Sequence, residues 1–402
     1  MIFLFFLLIV VPSYILVNVY LLFRTCKWLR ICTMFTHSDL WARIYIVIYI
    51  LLALSLLFAF ILPKSKLQIW IKHISNYWLG TFMYTLIFIA FSDLIKILLR
   101  ACNLLPNNIY NSDKVFALVG SIILFIVLSL SAYGIIHAHK LNVVTYDVDI
   151  KKPCTNTNSL KIVLISDLHL GYSVGTKEVE DMVEKVNAQN ADLVVVAGDI
   201  FDNDYDAILE PDKVSKLLSS MKSTYGTYGC YGNHDVEERL LGGFSVDITN
   251  SHLRDNDMLE FIKKSNIKML LDECVTINDD FYLVGRLDIE KTGLNNSNTR
   301  LSASELLDNL DKDKPIIVID HQPKKLKELA NAGCDLDLSG HTHNGQLFPG
   351  NVVSSVVCEN VCGIKKVGNM TSVVTAGVGL WGPDMRVGTT ADITVVNVHF
   401  TN

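Results

Sequence analysis

The sequence predicts an α/β domain preceded by about four transmembrane α-helices, and three observations carry that expectation. The 402-residue chain is half apolar with a mean hydropathy of +0.34, high for a purely soluble protein. Charge is divided: residues 1–150 hold eleven Lys/Arg and five Asp/Glu, a net of +6, while 151–402 hold 24 and 36, a net of −12. From residue 161 onward, short apolar runs alternate with stretches of helical spacing, the pattern of a sheet buried between helices.

Residues 1–140 form the membrane portion. Segments at roughly 2–23, 44–62, 78–99 and 115–137 have the length and apolarity of membrane helices. The first opens MIFLFFLLIV, with no basic stretch before it and no small-residue cleavage site after it, so it reads as a retained helix. Asp93 and Lys96 lie near the end of the third segment, three residues apart, and are expected to pair with each other. Arg24, Lys27, Arg30 and Arg43 make the first loop the most basic. By the positive-inside rule that loop is cytoplasmic and the C-terminal domain extracytoplasmic, although Lys64, Lys66, Lys72, Lys140, Lys151 and Lys152 argue the other way.

Residues 141–160, ending KKPCTNTNS, read as a linker rich in turn formers. The domain at 161–402 follows. KIVLIS, DLVVVA, PIIVID and DLDLSG are buried runs; TKEVEDMVEKVNAQN and KKLKELANAG have helical spacing; TSVVTAGV and ADITVVNV are β-rich. Nine cysteines show no zinc-ribbon spacing. A net of −12 argues against a general binder of nucleic-acid polymers, although bound metal ions reverse the sign locally.

Polar clusters fall at the ends of the apolar runs. KIVLIS leads into Asp167 and His169, which strand alternation would point the same way. VVVA leads into GDIFDNDYD, four aspartates in nine residues, with Asp199 and Asp202 first. GTYGCY leads into Asn233, His234 and Asp235; PIIVI into Asp320 and His321; DLDLS into His341 and His343. Singly, each is an ordinary turn or a hydrogen-bonded histidine. Together they are five groups of oxygen and nitrogen metal ligands, each after a buried run, at the strand ends where α/β sheets build their sites.

This order of motifs, D-x-H, G-D-x-x-D, G-N-H-D, H and G-H-x-H, resembles the calcineurin-like metallophosphoesterase superfamily over about residues 160–400. With the N-terminal spans and GHTHNGQ it looks like the membrane-anchored phosphodiesterase branch. The resemblance implies a four-layer αββα sandwich with two metal ions at the sheet ends. It assigns Asp167, His169, Asp199 and His343 to one ion and Asp199, Asn233, His321 and His341 to the other, Asp199 bridging. It makes His234 the general acid, oriented by Asp202, and a metal-bridged hydroxide the nucleophile. Mixed N/O ligation without thiolate suits Mn, Fe or Zn. Asp204 and Asp206 match no motif position and read as solvated loop carboxylates. Asn203 stands where the protein-phosphatase branch has a phosphate-binding arginine; Arg386 is a candidate substitute, read otherwise as a surface arginine. The irregular stretch 236–260 either shapes a substrate pocket or merely connects elements.

The leading expectation is a membrane-anchored dinuclear-metal phosphoesterase acting on a phosphodiester or pyrophosphate bond, in a lipid-linked or envelope substrate. One alternative is a tethered phosphoesterase for soluble nucleotides or phosphomonoesters. The other is a non-catalytic receptor or scaffold on the same fold, which would be expected to have lost ligands; here every ligand position is filled.

Overall fold

The computed structural model describes residues 6–32, 39–63, 65–104, 106–238, 240–241, 244–245, 254–292 and 299–401. The chain divides into two compact units. The first is built on long helices: α1 (Val11–Cys32), α2 (Asp39–Ile61), α3 (Lys66–Ala101), the single turn α4 (Asn107–Tyr110) and α5 (Asp113–Ala138). With the residues just before α1, four of them are long and apolar enough to cross a bilayer. α3 begins well before the expected residue 78, because Ser65 caps it and its Oγ accepts from Gln68 N at 3.2 Å. Asp93 is not paired with Lys96. It pairs with Arg24 of α1 and accepts from Tyr20 Oη at 2.6 Å, while Lys96 Nζ lies 4.4 Å from the centre of the Tyr110 ring. A carboxylate held among apolar helices takes its partner from the helix it faces.

The second unit is a pair of six-stranded sheets. One runs β1 (Leu141–Ile150), β14 (Ala391–Phe400), β2 (Ser159–Ile165), β3 (Leu193–Ala197), β4 (Thr227–Cys230), β7 (Lys268–Met269). The other runs β12 (Gly363–Val367), β13 (Met370–Val374), β11 (Leu336–Ser339), β10 (Ile316–Ile319), β9 (Phe281–Gly285), β8 (Glu273–Ile277). The two-residue strands β5 (Leu240–Leu241) and β6 (Phe244–Ser245), which belong to the first unit, pair with each other. The rest of the stretch around them, residues 239, 242–243 and 246–253, lies outside the described residues, and with it most of the segment expected to shape a pocket or connect elements.

Alternation within the strands builds the layers. Ile162, Leu164, Leu193, Val195, Val396 and Val398 of the first sheet share a core with Leu283, Ile317, Ile319, Leu336, Leu338 and Val373 of the second. The intervening residues face outward: Val163, Ile165, Val194 and Val196 pack on α6 (Thr176–Ala188), α7 (Pro211–Leu218) and α8 (Asn256–Lys264). Val284, Ile316 and Val318 pack on α9 (Ala303–Leu307) and α10 (Leu326–Asn331). The order is helix, sheet, sheet, helix, as expected. One boundary is corrected. Residues 141–150, expected in the linker, form β1, which pairs in parallel with β14 from Leu141↔Ala391 to Ile150↔Phe400. It is an edge strand with most side chains partly or fully exposed, so it has no apolar run to mark it.

Candidate metal centre

Strands β2, β3 and β4 are mutually parallel, as are β9, β10, β11 and β13. The loops leaving the C-terminal ends of β2, β3 and β4 meet those of β10 and β11. Asp167 and His169 follow β2, Asp199 and Asp202 follow β3, Asn233 and His234 follow β4, His321 follows β10, and His341 and His343 follow β11. Asp167 and His169 do converge, though not by strand alternation: both lie beyond the strand with φ of 56° and 46°. Asp199, His341 and His343 are left-handed too, at 51°, 72° and 47°. Such backbone costs on the order of 1–3 kcal/mol per residue and persists where surrounding bonds dictate it. Here the Asp167 N–H donates to Gly198 O and the His169 N–H to Asp199 O, each at 3.0 Å, and His341 N donates to both oxygens of Asp167 at 3.0 Å. Two motif glycines make room. A Cβ on Gly232 would fall on the Asp199 carboxylate, and one on Gly340 on Ser166 Oγ and the Asp167 carboxylate.

The ligand atoms gather into two groups, Asp167, His169 and His343, and Asp199, His321 and His341. In the first, His169 Nε2 and His343 Nε2 are 3.0 Å apart, and His343 Nε2 is 3.5 Å from Asp167 Oδ1. In the second, His321 Nε2 lies 3.1 Å from Asp199 Oδ2, 3.2 Å from Asn233 Oδ1 and 3.2 Å from His341 Nδ1. Asp199 Oδ2 is also 3.8 Å from His169 Nε2, so this carboxylate reaches both groups. His321 Nδ1 is 2.8 Å from Ala197 O and must donate to it. In the neutral ring Nε2 then carries a lone pair, aimed at a carboxylate and an amide oxygen. Only a positive charge reconciles those atoms, and the donor set fits divalent cations.

In the free protein a proton on His321 can supply that charge. Burial alone would depress the His321 ring, yet the Asp199 carboxylate holds it well above its usual range. Burial also opposes ionisation of Asp199, but His321 and His234 hold that carboxyl well below the usual range. Burial, then the neighbouring His321, pushes His341 down to about 3. Burial, then His169, holds His343 well below its usual range. Those two rings are neutral at pH 7 and lose no proton when an ion binds.

His234 stands at the rim, half-buried. Its N–H donates to Asp199 Oδ1 at 2.8 Å, and its ring Nδ1 is bonded to Asn203 Oδ1. Asp202, the partner expected for it, has Oδ1 3.4 Å from His169 Nδ1 and belongs with His169 and His234 to a third close group. Asn203 is thus the side chain bonded to the His234 ring. It is fully buried, its Nδ2 donates to Val236 O at 3.1 Å, and that bond sets which way the amide oxygen points. Its place beside GDIFD was visible, but not its role.

Three other residues named from the sequence have partners that the motifs do not show. Asp235 is buried and accepts from the N–H groups of Ile200, Phe201 and Gly232 at 2.7–2.9 Å, tying the β3 and β4 loops together. Asp320 points away from the ligands to Arg286 and Arg300. Arg386 is not a surface arginine: it is 0% exposed and donates to the carbonyls of Ala376, Gly377, Gly379 and His343 at 2.9–3.4 Å. The Asp206 N–H donates to Asp204 Oδ1 at 3.1 Å in a surface turn.

Residues 160–345 match the calcineurin-like phosphoesterase family. They are a calcineurin-like phosphoesterase domain. Over 275 residues the chain is 30% identical to a transmembrane protein with metallophosphoesterase domain from Danio rerio, covering 67% of this chain and 60% of that one. It is 27% identical over 409 residues to a metallophosphoesterase from Campylobacter jejuni, covering 99% of both chains. It is also similar to the solved structure of a dimetal phosphatase from Danio rerio, at 12% identity, 55% of this chain, 88% of that chain and a TM-score of 0.34. The chain thus spans about three-fifths of the length of the transmembrane relative. The ligand groups of this phosphoesterase domain all lie on loops within it or at its end, from Asp167 to His343.

Proposed function

We propose that this chain is a membrane-anchored phosphoesterase that uses two divalent metal ions to hydrolyse a phosphodiester or pyrophosphate bond in a lipid-linked substrate. The observation that carries this reading is the pair of His/Asp groups reached by one carboxylate, Asp199. Asp167, His169, Asp199 and His343 would hold one ion, and Asp199, Asn233, His321 and His341 the other. Bound there, the ions supply Lewis-acid charge for the phosphoryl oxygens and an activated water. The chain's own residues do the rest. His234, with Nδ1 engaged by Asn203, has Nε2 left to hand a proton to the leaving oxygen. Burial, against the pull of Asp199, holds its ring at about 4 in the free protein. To act as the acid the ring must carry protons on both nitrogens in the substrate complex. Four apolar helices keep the domain at a bilayer, where a lipid-linked ester is concentrated.

The test is hydrolysis by the purified full chain of a bis-aryl phosphodiester and an aryl monophosphate, with and without added Mn²⁺. Metal-dependent turnover favouring the diester supports the proposal. Preference for the monoester moves the substrate to the soluble class. A folded chain with neither metal nor turnover makes it a binding protein.

A further inference from the structure

The helix that follows the metal-binding loop is out of keeping with its surroundings. α11 (Gly350–Val357, GNVVSSVV) buries none of its residues. Val352, Val353, Val356 and Val357 are 51%, 59%, 82% and 72% exposed, and Phe348, just before it, 52%. Single exposed apolar residues are ordinary, but five within ten residues of a water-facing surface are not. From Asn344 to Cys358 there is no Asp, Glu, Lys, Arg or His, in a domain that is otherwise acidic. Lysines stand at its C-terminal end. Glu359 accepts from the backbone N–H groups of Lys325 and Leu326, and its carbonyl from Lys365 Nζ. The side chains of Lys324 and Lys325 are 46% and 60% exposed and form surface ion pairs with Glu290 at 2.6 Å and Glu328 at 3.5 Å, weak contacts that lipid phosphates would exchange.

We propose that α11 is a membrane-docking helix, lying in the headgroup region with its valines and Phe348 among acyl chains and its flanking lysines on lipid phosphates. An uncharged apolar helix with cations at one end fits that boundary, and a chain with four apolar spans places its domain beside one. The helix is fixed to the metal-binding loop: Asn351 and Gly350 press so closely on Gly345 that no Cβ fits there. Gly345 is two residues from His343. Docking therefore sets the metal centre at the lipid surface. That consequence rests on the phosphoesterase reading; the docking itself does not.

The experiment uses the full chain carrying Val356→Trp, in nanodiscs of phosphatidylcholine and phosphatidylglycerol whose chains are either plain or dibrominated. Emission of the parent protein in the same discs is subtracted. The added tryptophan is expected to be blue-shifted and quenched about twofold or more by the brominated chains. Emission typical of water, quenched by iodide alone, overturns the proposal. Blue-shifted emission that bromine leaves untouched also overturns it, because protein and not lipid then covers the helix. Val353→Trp repeats the reading if the first variant assembles poorly. Neither turnover nor metal content enters, so this result and the test of the phosphoesterase reading fail separately.

Discussion

In the proposed reaction His234 is the residue that would protonate the leaving oxygen. It touches Asp199 only through its backbone N–H, and its ring is held by Asn203. It belongs to neither of the two proposed ion-binding groups, although its ring packs edge-on against His169 with centres 5.0 Å apart. His234→Ala is expected to keep the parent's metal content and to slow turnover by roughly 10²–10⁴-fold. The loss should shrink as the leaving group becomes more acidic, because a good leaving group needs no proton. An equal loss across a series of aryl esters would remove His234 from that role. The ligand candidates were legible only as a set, because five motifs follow apolar runs in one order. Asn203 was not, because its role depends on the Val236 carbonyl, which orients its amide from another loop.

Elements explain why the motif glycines and a distant arginine belong to the same site. Gly340 lets the end of β11 pass against Ser166 and Asp167. Gly340→Ala should displace His341 and His343, and a displacement of about 1 Å costs on the order of 10²-fold in turnover. Elemental analysis of that variant should also find less bound metal than in the parent. Arg386 ties the loop at 376–379 to the His343 carbonyl from within the core. Arg386→Met leaves those carbonyls without their donor. Buried hydrogen bonds to a charged group are worth about 1.5–3 kcal/mol each in net terms, so a lowered thermal midpoint in detergent is expected, and an unchanged midpoint would contradict this placement. No local signal in WGPDMRVG announces these contacts, since the partners are backbone carbonyls brought near only by the fold. The Asp93–Lys96 expectation failed for a similar reason. Spacing along one helix says nothing of Arg24 on another.

At the scale of the whole molecule, the layered domain was readable because its inner strands are continuous apolar runs, buried on both faces. Its edge was not. β1 alternates between exposed and partly buried side chains and precedes a turn-rich stretch, so it passed for linker. The distinction has a measurable consequence. A chain beginning at residue 139 retains β1 and should be folded and able to bind metal. One beginning at 155 strips the ten-residue partner from β14 and exposes that strand's edge. It should melt at lower temperature and aggregate; equal stability of the two would show that β1 is dispensable.

In the proposed centre one carboxylate, Asp199, would hold both metal ions. The most direct measurement is the metal content of the purified full chain beside its Asp199→Asn variant, by elemental analysis on folded protein. Two divalent ions per chain are expected in the parent and one or none in the variant. A folded parent without metal, or a variant that keeps both ions, would contradict that reading.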